Sequence, residues 1–144
     1  MRSFCPDINV WIALAYEGHE RHRSAAGWFA VLDGEIAYFC RLTQLGFLRL
    51  LTHDGVMGRD VRSQAEAWQA YDLLRTDQRV SFRAEVDVEP VDAAFRRLSS
   101  GGRSSSKQWP DAYLAAFAGS AELTLVTFDR GLRKMSGNST LLLA

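Results

Sequence analysis

Two hydrophobic periods alternate along the chain. Short apolar runs that read as strands fall at residues 3–6, 36–40, 80–82, 123–127 and 140–143. Between them, apolar positions recur three and four residues apart, the spacing of a half-buried helix. Residues 9–16 read as a helix with Asn9 as its N-cap and Gly18 as its stop. Residues 20–32 carry Ala25, Trp28, Phe29 and Leu32 on one face. Thr43 is placed to cap a helix over 44–51 that is apolar nearly all round. Residues 53–62 read as a loop. Ser63 and Glu66 form a capping box ahead of Ala67, Trp68, Tyr71 and Leu74. Pro90 opens a helix bearing Val91, Ala94, Phe95 and Leu98, and Pro110 sits in the first turn of another that reaches residue 118. A short helix over 131–135 precedes the last strand.

Strands alternating with helices predict an α/β fold: a three-layer α/β/α sandwich around a mainly parallel sheet of four to five strands. The 144 residues fit one domain, 1–144. The Ser- and Gly-rich stretch 99–108 reads as a mobile loop, since too little chain follows it for a second domain.

Composition narrows the function classes. With 47% hydrophobic and 24% charged residues the chain is globular in character. Its longest apolar run, 10–16, falls short of the ~20 residues that span a bilayer, and no signal peptide is legible at the start, so a cytoplasmic protein is expected. Seventeen basic residues balance seventeen acidic ones, so any polyanion must be held by a local patch. All the basic residues but Lys107 and Lys134 are arginine. Cys5 and Cys40 are too far apart for a CxxC motif and read as buried free thiols. His19 and His22 lack a third ligand nearby.

Three acids stand where chemistry is done. Asp7 follows the first strand, Asp129 follows the strand at 123–127, and Asp111 lies in the first turn of the helix before that strand. Ligands of open parallel sheets bind at the carboxyl ends of strands. Carboxylates that converge without a basic partner need a cation, and hard oxygen donors suit Mg2+ or Mn2+. Asn9 and Thr127 are candidates for orienting these acids. Strand-end aspartates also cap helices and close turns, so spacing alone leaves both readings open.

The stretches Asp7-Ile-Asn-Val-Trp-Ile-Ala-Leu14, Asp111-Ala-Tyr-Leu-Ala-Ala-Phe-Ala118 and Leu125-Val-Thr-Phe-Asp-Arg-Gly131 resemble PIN domains in order and separation. The segment Cys40-Arg-Leu-Thr-Gln-Leu-Gly-Phe-Leu-Arg-Leu-Leu-Thr52 is similar to a group of VapC-type toxins from toxin–antitoxin modules. The resemblance implies a Mg2+/Mn2+-dependent endoribonuclease that leaves a 5′-phosphate and a 3′-hydroxyl. It makes Asp7, Asp111 and Asp129 the catalytic acids and metal ligands. Gln44 stands where the family usually carries a Glu, as a fourth member of the site. It also implies a cognate antitoxin and a homodimer.

Arg103, Lys107 and Arg130 are candidates for holding RNA phosphates, with ordinary solvated charge as the alternative. Trp11, Leu14, Phe47, Leu50, Leu51, Trp68 and Tyr71 are a surplus of large apolar residues, either core or a groove for a partner's helix. A non-catalytic RNA- or protein-binding module that lost its fourth acid at Gln44 is the rival function. A haloacid-dehalogenase-like phosphatase needs a second Asp at position 9, which is Asn. Neither GxxxxGK[ST] nor GxGxxG occurs.

Overall fold

The computed structural model describes residues 2–144, with every side chain among them except that of Asn138. Five strands form one all-parallel sheet: β1 (Ser3–Pro6), β2 (Ile36–Phe39), β3 (Val80–Phe82), β4 (Thr124–Thr127) and β5 (Thr140–Leu142). Their order is β3-β2-β1-β4-β5. Phe4 pairs with Ala37 on one side and Thr124 on the other, while Ala37 pairs with Val80 and Val126 with Leu141. The chain therefore winds outward from β1 in one direction and then returns to wind outward in the other. That reversal leaves a crevice at the carboxyl ends of β1 and β4, where α/β sheets bind their ligands.

Helices cover both faces. On one lie α1 (Ile8–Ala15), α2 (His22–Ala30), α3 (Arg41–Leu51) and α5 (Gln64–Arg75), with the short α4 (Asp54–Met57) between the last two. On the other lie α6 (Val88–Ser99), α7 (Gln108–Ser120) and α8 (Arg130–Ser136). This is the three-layer α/β/α arrangement that the alternating pattern predicts. Among the described residues no helix is long and apolar enough to cross a membrane.

The α1/α3/α5 face holds the larger core. Trp11 is stacked on Phe39 with centroids 3.8 Å apart and planes at 10°, and Phe47 and Tyr71 meet Phe39 edge-on. This settles the surplus of apolar residues. Trp11, Phe47 and Leu51 are at most 1% exposed and Tyr71 is buried, so they are core and not a groove. They fill the layer because the parallel sheet is apolar on both faces and needs a thick cover. Leu14 and Leu50 are half-buried against that core. Of the seven, only Trp68 presents its ring to solvent, at 48% exposure, and it neighbours the 61% exposed Leu45. Cys5 and Cys40 are both free and buried, on the opposite side of the sheet.

Several helix starts lie earlier in the chain than periodicity predicts. Asp7, not Asn9, caps α1: its Oδ1 accepts from the Ile8 N–H at 2.7 Å. Helix α3 begins at Arg41, with Cys40 as its cap. Thr43 works from inside the first turn, where its Oγ1 accepts from the Cys40 N–H at 2.9 Å. Helix α6 begins at Val88 under an Asp87 cap, two residues ahead of Pro90. Residues 53–62 are not a plain loop but hold α4 and a 3-10 turn, Gly58–Asp60. The Ser63/Glu66 capping box forms as the sequence predicts, with bonds of 2.9 and 3.1 Å.

Candidate active site

The crevice is built from the backbone upward. β1 ends at Asp7, whose N–H donates to the Val126 carbonyl at 2.8 Å and so ties it to β4. A residue that leaves a strand and caps the next helix has an extended backbone and a side chain folded over the helix start. Oδ1 of Asp7 is held by Ile8 and Oδ2 accepts from the Thr127 hydroxyl at 3.0 Å. Asp129 repeats the device after β4. It caps α8, with Oδ1 accepting from the Gly131 N–H at 2.7 Å. A Cβ at position 131 would come within 3.1 Å of that oxygen, so glycine leaves the carboxylate room.

Thr127 joins the two. Its fully buried Oγ1 donates to Asp7 and accepts from the Asp129 N–H at 3.0 Å. One hydroxyl thus fixes one carboxylate and the backbone that carries the other.

Asp111 arrives from the opposite layer, in the first turn of α7. Its carboxylate takes no hydrogen bond from the described residues. Half-burial, and then the charges of Asp7 and Asp129, push its pKa from the usual 3.8 up to about 6. Burial likewise raises the Asp7 carboxyl, the bonds from Thr127 and Ile8 pull it back, and Asp129 raises it again. Asp7 and Asp129 are thus near enough for their charges to bear on Asp111, and that of Asp129 on Asp7. Among the described residues neither of the two ion pairs, Arg79–Asp77 and Arg96–Asp92, involves them. Nor are any three His, Cys, Asp or Glu side chains among the described residues grouped closely enough to hold a metal ion as they stand. What speaks for a divalent cation is the chemistry of the donors alone: hard carboxylate oxygens without a basic partner, with Asp129 exposed.

The remaining candidates divide. Gln44 is 8% exposed, but its Oε1 is taken by the Arg41 Nη1 at 2.6 Å. Its amide thus serves a cation and not the acidic crevice. Asn9 is exposed in the first turn of α1 and makes no hydrogen bond to the aspartates among the described residues. Arg130 is exposed beside Asp129, while Arg103 and Lys107 are exposed in the segment before α7. Sequence reasoning passed over Arg41. Its signal was there, an arginine three residues before Gln44, but it is lost when the helix is started at residue 44.

Residues 4–138 match the PIN domain family. The chain belongs to that family. It is 36% identical over 142 residues to ribonuclease VapC41 of Mycobacterium tuberculosis, covering 96% of this chain and 97% of the relative. Its fold is similar to that of M. tuberculosis VapC20, a sarcin-ricin-loop-cleaving toxin, with TM-score 0.67, 17% identity and 98% and 99% of the two chains covered. VapBC2 of Rickettsia felis, solved on a promoter DNA fragment, superposes at TM-score 0.65 with 10% identity and 97% and 96% coverage.

Proposed function

We propose that this PIN domain is a VapC-like endoribonuclease toxin that hydrolyses RNA phosphodiesters to 5′-phosphate and 3′-hydroxyl ends. The observation that supports the reading most is the linkage of Asp7 and Asp129, at the carboxyl ends of the paired strands β1 and β4, through the Thr127 hydroxyl, with Asp111 near enough to feel both charges. The 36% identity to a named ribonuclease over nearly the whole chain supports it. Asp7, Asp111 and Asp129 would hold Mg2+ or Mn2+, which when bound supplies an acidified water and neutralises charge on the phosphodiester. The chain's own part is positional. Thr127 and the starts of α1 and α8 hold Asp7 and Asp129 in place, and Asp111 faces them from α7. Among the described residues no His or Lys is bonded to these aspartates to serve as a base for the RNA 2′-hydroxyl, which favours water as nucleophile.

The same reading gives the protein an RNA substrate, a cognate antitoxin as inhibitor, a cytoplasmic location and a homodimeric form, all within one PIN domain over 1–144. Arg103, Lys107 and Arg130 are its phosphate-binding candidates. The exposed cleft of Leu45, Leu48, Thr52 and Trp68 between α3 and α5 takes over the role first assigned to Trp11, Phe47 and Leu51 as an antitoxin surface.

A structured RNA incubated with Mn2+ should be cut, with ends that ligate directly to an adaptor requiring a 5′-phosphate. EDTA or Asp129→Asn should stop the reaction. Cleavage that persists in EDTA, or cyclic-phosphate ends, would overturn the mechanism. The engagement of Gln44 by Arg41 leaves three acids where the family usually has four, which favours a non-catalytic binding module as the second reading. RNA binding without any cleavage in Mn2+ would decide for it.

A further inference from the structure

On the ribonuclease reading, we infer that Arg41 binds substrate: held by Gln44 and Phe82, it grips an RNA phosphate beside the one that is cut. Strands β1 and β2 are neighbours, and extending their register from Ser3↔Ile36 sets Asp7 level with Cys40. Arg41 is the next residue along the same carboxyl edge. Its guanidinium is held over Phe82 of β3, on the far side of β2 from β1; at about 4.8 Å per strand it stands roughly two strands from Asp7, within reach of a phosphate flanking the one bound there.

The guanidinium is fixed before any ligand arrives. Nη1 donates to Gln44 Oε1 at 2.6 Å, and the group sits over the Phe82 ring at 4.8 Å. One of its five N–H donors is used by Gln44, which leaves the rest of the fork for an anion. An arginine ordered in advance loses less freedom on binding.

Part of this placement works against the fold. A cation in the first turn of a helix opposes the helix dipole, and α3 has no acid in that turn. Arg41 also has no carboxylate partner among the described residues, whose two ion pairs lie elsewhere. Glutamine at position 44 is what keeps the charge available. A carboxylate three residues on from Arg41 would pair with it and cancel it. The amide orients the guanidinium and leaves its charge whole. Gln44 is therefore a positioning residue for a phosphate-binding cation.

The test is RNA binding across a salt series, read by anisotropy of a fluorescein-labelled stem-loop RNA. All proteins carry Asp129→Asn to prevent turnover. Arg41→Gln should weaken binding about 5- to 20-fold and lower the slope of log Kd against log salt by about 0.7–0.9, the signature of one lost phosphate contact. Gln44→Glu should weaken binding to a similar extent with Arg41 intact. Arg97→Gln on α6, which lies beside Gly119 and Ser120 at the end of α7 opposite Asp111, should change Kd less than about twofold and controls for net charge. Melting curves confirm that each variant is folded.

Unchanged affinity and slope in Arg41→Gln overturn the inference, as does tighter binding by Gln44→Glu. If the parent chain cuts RNA in Mn2+ while Arg41→Gln keeps its affinity and slope, Arg41 is rejected and the nuclease reading stands. If the parent chain neither binds nor cuts RNA, both fall together.

Discussion

The aromatic layer under α1, α3 and α5 and the acidic crevice above β1 and β4 are built on opposite principles, although α1 serves both. In the layer, Trp11, Phe39, Phe47 and Tyr71 meet ring to ring and exclude water. Each contact stabilises its neighbour. In the crevice, Asp7 and Asp111 are partly desolvated, and the nearby charge of Asp129 raises the free energy of both charged forms. Stability and chemistry are thus set a single helical turn apart, at Trp11 and Asp7. The difference gives substitutions in the two regions opposite signs: the layer loses stability when it is trimmed, and the crevice gains stability while losing function.

The largest effect should come from the layer. Trp11→Ala removes a fully buried ring stacked on Phe39 and should destabilise the fold by about 3–5 kcal/mol, measured by urea unfolding. Trp11→Phe sharpens the point. The indole Nε1–H is buried without a hydrogen-bond partner, so the ring contact outweighs the lost polar group. Its cost should stay below about half that of the alanine variant. Equal costs for the two would mean that the stacking is not what holds the layer.

The crevice should answer with the reverse sign. Asp111 titrates near 6 in the folded protein against 3.8 when free, so the folded state holds that proton more tightly than the unfolded chain does. In EDTA the penalty is full above pH 6, and it is relieved as the pH falls through 6 toward about 4. The metal-free protein should therefore melt higher at pH 5.5 than at pH 7.5. Asp111→Asn should melt higher than the parent at pH 7.5, lose the share of that pH dependence that Asp111 carries, and cut RNA at least about 100-fold more slowly, which corresponds to about 2.7 kcal/mol. Mn2+ should raise the parent's melting temperature at pH 7.5 and do so less in the variant. A variant less stable than the parent at pH 7.5 would remove the contrast between the regions.

The strand-end and first-turn positions of the three acids were legible in the sequence, and the aromatic layer was legible only in part. Acids at strand ends and in a helix's first turn are placed by local chemistry, and topology carries them to one edge, so Asp7, Asp111 and Asp129 could be picked out by position. Large apolar residues carry no such address. Periodicity puts Trp11, Phe47 and Leu51 on helical faces but does not say whether sheet or solvent lies opposite, and a parallel sheet needs all three inside. Caps were misplaced for a related reason. Asp7 and Asn9 are both good caps, and the choice falls to the one whose backbone leaves β1 extended. That shift of a few residues at α3 also hid Arg41. A pairing between two side chains of one helical turn is invisible until the turn is known to begin at residue 41.

The smallest effect tests the hydroxyl that links the crevice to the core. Thr127→Val keeps the shape of a fully buried side chain and removes only Oγ1. Asp7 then loses a donor at 3.0 Å to its charged form, and the Asp129 N–H loses its acceptor. Because the Thr127 bond lowers the Asp7 pKa, its loss must raise it. Asp7 would then be protonated over more of the acidic range, so the acid limb of the cleavage rate should move to higher pH. On the alkaline side of that limb, where ionisation no longer limits the rate, only the looser positioning remains. The rate there should fall less than about tenfold, in line with about 1 kcal/mol for one hydrogen bond. Thr127→Ser keeps the donor and should restore the acid limb while leaving a small cavity in place of the methyl. A valine variant with an unshifted limb but lower stability would make Thr127 a packing residue alone, and would place the boundary between the two regions at Asp7 itself.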